Sequence, residues 1–212
     1  MIKPYNCIVV ANGSFPVSPF PLEMLKKASV IIACDGAVEM LHRKGFVPHA
    51  IVGDMDSLSP EMRQKYADRI YINEDQEIND LTKAVRHAHA CGEKEVVIIG
   101  ATGIREDHTL GNISLLADYT PLFNRIEILT DYGIFTSLQQ TATLESVPGQ
   151  QVSLFALYPE GKITTEGLKW PITNRVLTSW WQGTLNEALS NTFTIHLEEE
   201  ARVIVYRKLV EK

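Results

Sequence analysis

Cysteine is scarce: the 212 residues hold three, Cys7, Cys34 and Cys91, with neither the paired spacing of a disulfide framework nor a zinc-type pattern. Cys7 and Cys34 lie inside apolar, strand-like runs, so they read as buried free thiols, and the expected compartment is the reducing cytoplasm. Positive charge is not in excess either. Twenty Lys and Arg against 26 Asp and Glu give a formal net charge of −6, with no basic run or face, which argues against a nucleic-acid or anionic-membrane partner. No apolar run approaches the roughly 20 residues that span a bilayer, and the first ten residues are too short and polar for a secretory signal, so no membrane role is expected. Internal repeats and low-complexity segments are absent. What remains is 45% hydrophobic and 22% charged, ordinary for a folded chain, and the length suits one larger domain with a small one.

The first stretch, 1–138, alternates β-branched apolar runs with helical segments. Strands are predicted at 7–11, 30–34, 50–52, 69–72, 96–99 and 126–129, several of them continuously apolar as in a sheet covered on both faces. Helices are predicted at 21–28, 37–44, 60–67, 80–90 and 108–118. Ser59 before Pro60 is a helix N-cap with proline at the first helical position, and Gly45 supplies a residue able to end the second helix with positive φ. This is a βαβ pattern, hence an α/β domain with a mostly parallel sheet. From 139 to 212 the pattern is strands between turn residues, at 151–158, 162–165, 175–179, 193–197 and 202–207, without a convincing helix. A small all-β sandwich or barrel is expected there.

Acidic residues and glycines gather at the predicted strand ends: Asp35-Gly36, Gly53-Asp54-Met55-Asp56-Ser57, Asp75-Gln76 running on to Asn79, Asp80 and Lys83, and Gly100-Ala101-Thr102-Gly103 with Arg105, Asp107 and His108. The carboxyl ends of strands in an open α/β sheet line one edge, where ligands bind, so these tips can converge on one site. Two carboxylates about 5 Å apart repel by roughly 3 kcal/mol at an effective dielectric near 20. A cation is therefore expected among them, and for an all-oxygen set that cation is Mg²⁺, carried by a polyphosphate.

Each group also has a plainer reading. Asp54 and Asp56, two apart, face the same way if the backbone is extended, as a shared metal needs, yet aspartates at a strand end also make solvated turns. Asn79 can cap the next helix, Asp80 can favour its dipole, and Lys83, one turn on, can be an exposed partner. The Gly100 to Gly103 segment leads into a helix, where backbone N–H groups can approach phosphate and Arg105 can clamp an anion. Its spacing fits neither the P-loop nor the dinucleotide fingerprint, and a tight turn capped by Asp107 is the alternative. His108, in the first helical turn, reads as a hydrogen-bonding group. Trp170 offers either a core aromatic or a stacking face for a flat or cationic ring, and Trp180 and Trp181 read as core.

Together these residues resemble the thiamine pyrophosphokinase family. GDMDS at 53–57, DQEINDLTKA at 75–84, GATGIREDHTLGN at 100–112 and TTEGLKWPI at 164–172 follow the family's order. The resemblance implies a Rossmann-like catalytic and nucleotide-binding domain at 1–138, then a thiamine-binding β-sandwich at 139–212, in a homodimer with its active site between subunits. It implies transfer of the pyrophosphoryl group of ATP to the thiamine hydroxyl, with Mg²⁺, giving AMP and thiamine diphosphate. On this reading Asp54, Asp56, Asp80 and Asp107 are the acidic catalytic positions, the first three of them metal ligands. Asp35, Gln76, Asn79, Lys83, Gly100, Thr102, Gly103, Arg105 and His108 contact ATP, and Trp170 and Asn186 contact thiamine. The chain departs from the family pattern at Glu39, Ile104, Gly111 and Leu185, where asparagine, glycine, alanine and serine are commoner. A pyrophosphokinase for another heterocyclic alcohol such as a pterin, or a non-catalytic nucleotide or thiamine sensor, are the rival expectations.

Overall fold

The fold, seen in a computed structural model that describes residues 5–158 and 160–210, divides into two compact units. One takes in the chain up to Leu115 and then Pro121–Asp131; the other takes in Leu116–Thr120 and the chain from Tyr132 onward.

In chain order the first part holds β1 (Cys7–Val10), α1 (Pro19–Lys27), β2 (Val30–Cys34), α2 (Val38–Arg43), β3 (Ala50–Gly53), α3 (Pro60–Lys65), β4 (Ile70–Ile72), α4 (Asp80–Ala90), β5 (Glu95–Ile99), α5 (Glu106–Tyr119) and β6 (Arg125–Leu129). The strands lie side by side as β6-β5-β1-β2-β3-β4, all parallel, with Val9 of β1 flanked by Ile32 and Ile98. Every residue of β1 and β3 is buried, as expected of strands with both faces covered. The α4 face that packs on β1, β2 and β3 carries Leu81, Ala84, Val85 and Ala88, the three-four spacing of a core-facing stripe. The helix ends obey local chemistry. Ser59 Oγ accepts from Met62 N at 3.3 Å with Pro60 at the first helical position, and Gly45 (φ 79°) closes α2 by donating to His42 O at 3.0 Å. The chain runs outward from β1 to β4, then returns to place β5 on the other flank of β1. That reversal is a topological switch point, and it opens a crevice at the carboxyl ends of β1 and β5.

The second unit is an antiparallel β-sandwich. It contains β7 (Gly133–Leu138), β8 (Ala142–Glu145), β9 (Gln151–Ala156), β10 (Ile163–Glu166), β11 (Asn186–Glu187), β12 (Thr192–Leu197) and β13 (Val203–Lys208). One layer runs β11-β9-β13-β7 and the other β10-β12-β8. Val152 and Leu154, Val203 and Val205, and Phe193 and Ile195 alternate inward into one core, the period of two that a half-buried strand requires. Strands β7 and β8 were not anticipated, and β7 pairs along its length with β13 of this unit. Residues 175–179 do not form the expected strand: Arg175 alone bridges to Ile163, and the segment leads into a short 3₁₀ turn, Trp180–Gly183. The core reading of Trp180 and Trp181 is also corrected, since they are 46% and 74% exposed.

Candidate active site

Asp35 leaves the end of β2, Asp54 the end of β3, and Asp80 opens α4, so three separate elements bring carboxylates together, two of which, Asp35 and Asp80, line the crevice. Their nearest oxygens all lie within 4.8 Å of one another. Asp35 is only 2% exposed; its Oδ1 accepts from Gly36 N at 2.6 Å and its Oδ2 from Ser57 N at 3.4 Å. Gly53 is required beside it, because a Cβ there would stand 2.9 Å from the Asp35 carboxyl carbon. Asn79 fixes the start of α4: its Oδ1 accepts from Thr82 N at 2.9 Å, and its Nδ2 donates to Asn112 Oδ1 at 3.3 Å. Asn112 in turn donates to Ala101 O at 2.9 Å, which ties the helix start to the loop after β5.

Lys83, expected as a solvent-exposed partner in the plainer reading, is instead 3% exposed. Its ammonium lies 3.0 Å from Asp80 Oδ1 and 3.4 Å from Asp54 Oδ2. Burial works to lower the Lys83 pKa, but the hydrogen bond to Asp80 and the charges of Asp80 and Asp54 outweigh it, so the net shift is upward and the ammonium stays protonated. Asp35 is shifted upward, first by burial and then by Asp80 and Asp54, against the opposing pull of the Gly36 and Ser57 N–H groups. Asp54 is shifted downward, chiefly by the hydrogen bond from Asp56 N, with Gln76 and Lys83 adding to it against a smaller desolvation. Gln76 Nε2 reaches Asp54 Oδ2 at 3.4 Å.

The crevice, about 360 Å³, is walled on one side by Asp35, Asn79 and Asp80 and on the other by Gly103, Arg105 and His108. Two loops are joined to make the second wall. Ala11 N, Gly13 N and Ser14 N donate to Ile99 O, Gly100 O and Thr102 O at 2.9, 2.7 and 2.8 Å, so the loop after β1 is zipped onto the loop after β5. A Cβ on Gly13 would collide with the carbonyls of Gly100 and Thr102. Gly100 (φ 67°), Gly103 (φ 79°) and Ile104 (φ 65°) adopt the left-handed backbone that turns this loop back on itself.

The predicted site residues therefore separate. Asp35, Asp54, Asp80 and Lys83 converge, Gln76 touches them through Asp54, and Asn79, Gly103, Arg105 and His108 line the same crevice. Gly100 and Thr102 engage the β1 loop through their carbonyls. Asp56 does not join the three carboxylates: Met55 is in the left-handed region at φ 71°, the backbone turns, and Asp56 N donates to Asp54 Oδ1 at 3.1 Å, so the extended, same-face geometry is corrected. Asp107 is likewise outside the cluster. It is exposed and paired with Arg105 at 2.5 Å, and Arg105 together with the His108 N–H holds its carboxyl down to about 2. In the second unit Trp170 is 55% exposed, with Lys169 Nζ 5.0 Å from its ring centroid. Asn186 is buried and clamps the Trp170 backbone, accepting from its N at 3.1 Å and donating to its O at 2.7 Å. Sequence reasoning missed Asn12, Gly13 and Asn112 of the crevice; the signal was Ala-Asn-Gly-Ser following a wholly apolar first strand.

Residues 22–130 match the model of the thiamin pyrophosphokinase catalytic domain, and residues 133–206 that of the thiamin pyrophosphokinase substrate-binding domain. The chain belongs to the thiamin pyrophosphokinase family. Among curated relatives, thiamine pyrophosphokinase 2 of rice (Oryza sativa subsp. japonica) is 36% identical over 147 residues, which are 62% of this chain and 54% of the rice protein. Rice thiamine pyrophosphokinase 1 is 32% identical over 76% of this chain and 64% of its own length. The matches thus span between half and two thirds of these rice family members. The fold recurs in the thiamin pyrophosphokinase of Candida albicans (TM-score 0.80, 16% identity, covering 99% of this chain and 95% of that one) and in that of Geobacillus thermodenitrificans (TM-score 0.78, 23% identity, 97% and 98%). Among the described residues, no helix is long and apolar enough to cross a membrane.

Proposed function

We propose that this family member transfers the pyrophosphoryl group of ATP to the hydroxyl of thiamine, releasing AMP. The observation that carries the reading is the convergence of Asp35, Asp54, Asp80 and the buried Lys83 at the switch point, beside a glycine-turned loop with Arg105. Three hard carboxylates with oxygens this close fit a Mg²⁺ ion, with Asp54 and Asp80 as ligands, Asp35 beside them and Asp56 at the rim. When bound, the ion supplies neutralisation of polyphosphate charge.

The chain's own groups then position and neutralise, as transfer of this kind requires. The thiamine hydroxyl oxygen attacks the β-phosphorus, the bond between that phosphorus and the α–β bridging oxygen breaks, and AMP leaves with the bonding pair. Lys83 and Arg105 are the cations that balance charge on the departing phosphate. Asp107, held near 2, is a poor proton acceptor at neutral pH and serves instead to hold Arg105 until phosphate replaces it. Asp80, through a carboxylate oxygen that the ion would leave free, is the better candidate to orient the hydroxyl and take its proton. Trp170, braced by Asn186, supplies a stacking face for the cationic thiazolium ring. We further place the protein in the cytoplasm as a homodimer with its active site at the subunit interface; sedimentation at working concentration tests the dimer.

The deciding assay follows AMP release from ATP with and without thiamine. Thiamine-dependent AMP at enzymatic rates is the expected result. Tight thiamine or nucleotide binding without AMP would overturn the reading in favour of a sensor, and turnover with pterin alcohols but not thiamine would reassign the acceptor.

A further inference from the structure

Lys83 is buried in the very place a divalent ion would need. Its ammonium occupies Asp80 Oδ1 and Asp54 Oδ2, two of the three carboxylates that would hold the metal. The charge of the cluster is −3 from Asp35, Asp54 and Asp80 and +1 from Lys83, leaving −2 for an incoming cation. A buried ammonium stripped of counter-charge is strongly unfavourable, so Lys83 releases these carboxylates only when other anionic oxygens take their place. A polyphosphate supplies such oxygens; a hydrated metal ion alone does not. A lysine suits the task because its compact charge rides on a flexible four-carbon stem.

Resting on the Mg²⁺–ATP reading of the site, we infer that Lys83 is a resident counter-cation that competes with the divalent ion for Asp54 and Asp80, so that the ion binds weakly alone and enters with the nucleotide polyphosphate, onto which the ammonium moves. Metal and nucleotide are thereby coupled, and by linkage each raises the other's affinity by the same factor.

The test is direct binding of Mn²⁺ to the full chain, by electron paramagnetic resonance of the free ion, with and without α,β-methylene-ATP. Lys83→Met and Lys83→Gln, verified as folded by circular dichroism, are expected to bind Mn²⁺ alone at least about tenfold more tightly than the unaltered protein, through loss of a positive charge beside the ion. The enhancement of Mn²⁺ affinity by the nucleotide analogue should shrink correspondingly. Unchanged or weaker Mn²⁺ binding in a folded variant overturns the inference. Should neither variant fold, the unaltered protein with ¹⁵N-labelled lysine decides. A slowly exchanging Lys83 ammonium resonance should persist when millimolar Mg²⁺ is added alone and move when Mg²⁺ and the analogue are added together; movement with Mg²⁺ alone, or none with both, overturns it. Absence of Mn²⁺ binding in every protein, analogue included, would remove the metal reading itself. A negative AMP assay would leave the Mn²⁺ result standing.

Discussion

The acidic cluster with Lys83, which reaches the crevice through Asp35 and Asp80 and forms its floor, and the rim with Arg105 are built from the same residue types to opposite ends. On the floor, Lys83 meets Asp54 and Asp80 where it is 3% exposed. At the rim, Arg105 meets Asp107 with both side chains 64% exposed. The floor pair is costly to break, because the Lys83 ammonium would be left buried without a counter-charge, whereas an exposed pair contributes between zero and about 1 kcal/mol and yields to salt. The floor pair is thus formed before ligand arrives and parts only when other anionic oxygens replace the carboxylates, whereas the rim pair exchanges one anion for another at little cost. If this division is right, floor substitutions should cost activity or stability heavily and rim substitutions should cost little.

The largest effect is expected at Asp80. Asp80→Asn keeps an oxygen for Lys83 but removes one unit of negative charge from the floor. The kcat for thiamine-dependent AMP release should fall by about 10² to 10³, the scale at which removal of one pre-set electrostatic group acts, with the melting temperature little changed. A loss of less than about tenfold would mean that charge is managed elsewhere.

Next is the wall of joined loops at Gly13. Gly13→Ala drives a methyl group into the carbonyls of Gly100 and Thr102, which are held by the loop-to-loop hydrogen bonds. Overpacking of this kind costs about 1–3 kcal/mol. In a chain of this size that lowers the melting temperature by roughly 2–4 °C per kcal/mol. An unchanged melt would show that the two loops part easily, and the contrast with the rim would weaken.

How far this site was legible from sequence follows from the physics of each part. Continuous β-branched runs ending in aspartate gave the parallel strands and two of the acidic positions, Asp35 and Asp54, because a strand buried on both faces leaves an unmistakable apolar run. Residues 175–179 misled because their alternation is real but serves a loop: Leu177 is buried in the sandwich core while only Arg175 pairs with a strand. Asp56 was misplaced by a single dihedral, the positive φ of Met55, a conformation few side chains adopt and that no composition rule predicts. The burial of Lys83 was invisible because spacing placed it off the apolar stripe of α4. That remains true, yet the face it does occupy is covered by Asp54 from another element.

A smaller effect with the opposite sign is expected at Asp35. Burial and the neighbouring Asp80 and Asp54 charges raise its pKa in the folded state. Between the unfolded value near 3.9 and the raised folded value, the folded protein therefore holds a proton there that the unfolded chain has released, and stability falls as pH rises through that window. Asp35→Asn removes that penalty, at the cost of a weak 3.4 Å contact to Ser57 N. At neutral pH it should melt higher than the unaltered protein, and its melting temperature should depend less on pH just above 4. A lower melt at pH 7 would show that the carboxylate is a net stabiliser, contrary to the view of the floor as a place where charge is held against its preference.

The smallest effect belongs to the rim. Ile104 holds φ at 65° with 75% of its surface exposed. A β-branched side chain there is strained by about 1–3 kcal/mol, while glycine would add about 0.4–1 kcal/mol of unfolded-state entropy. Little packing is lost on truncation because the side chain is mostly in solvent. Ile104→Gly should therefore raise stability by about 1 kcal/mol, a shift of roughly 2–4 °C in thermal unfolding, and leave the Lys83 contacts untouched. A fall in melting temperature would mean that Ile104 makes a contact worth more than its strain, and the rim would then share the pre-set character of the floor.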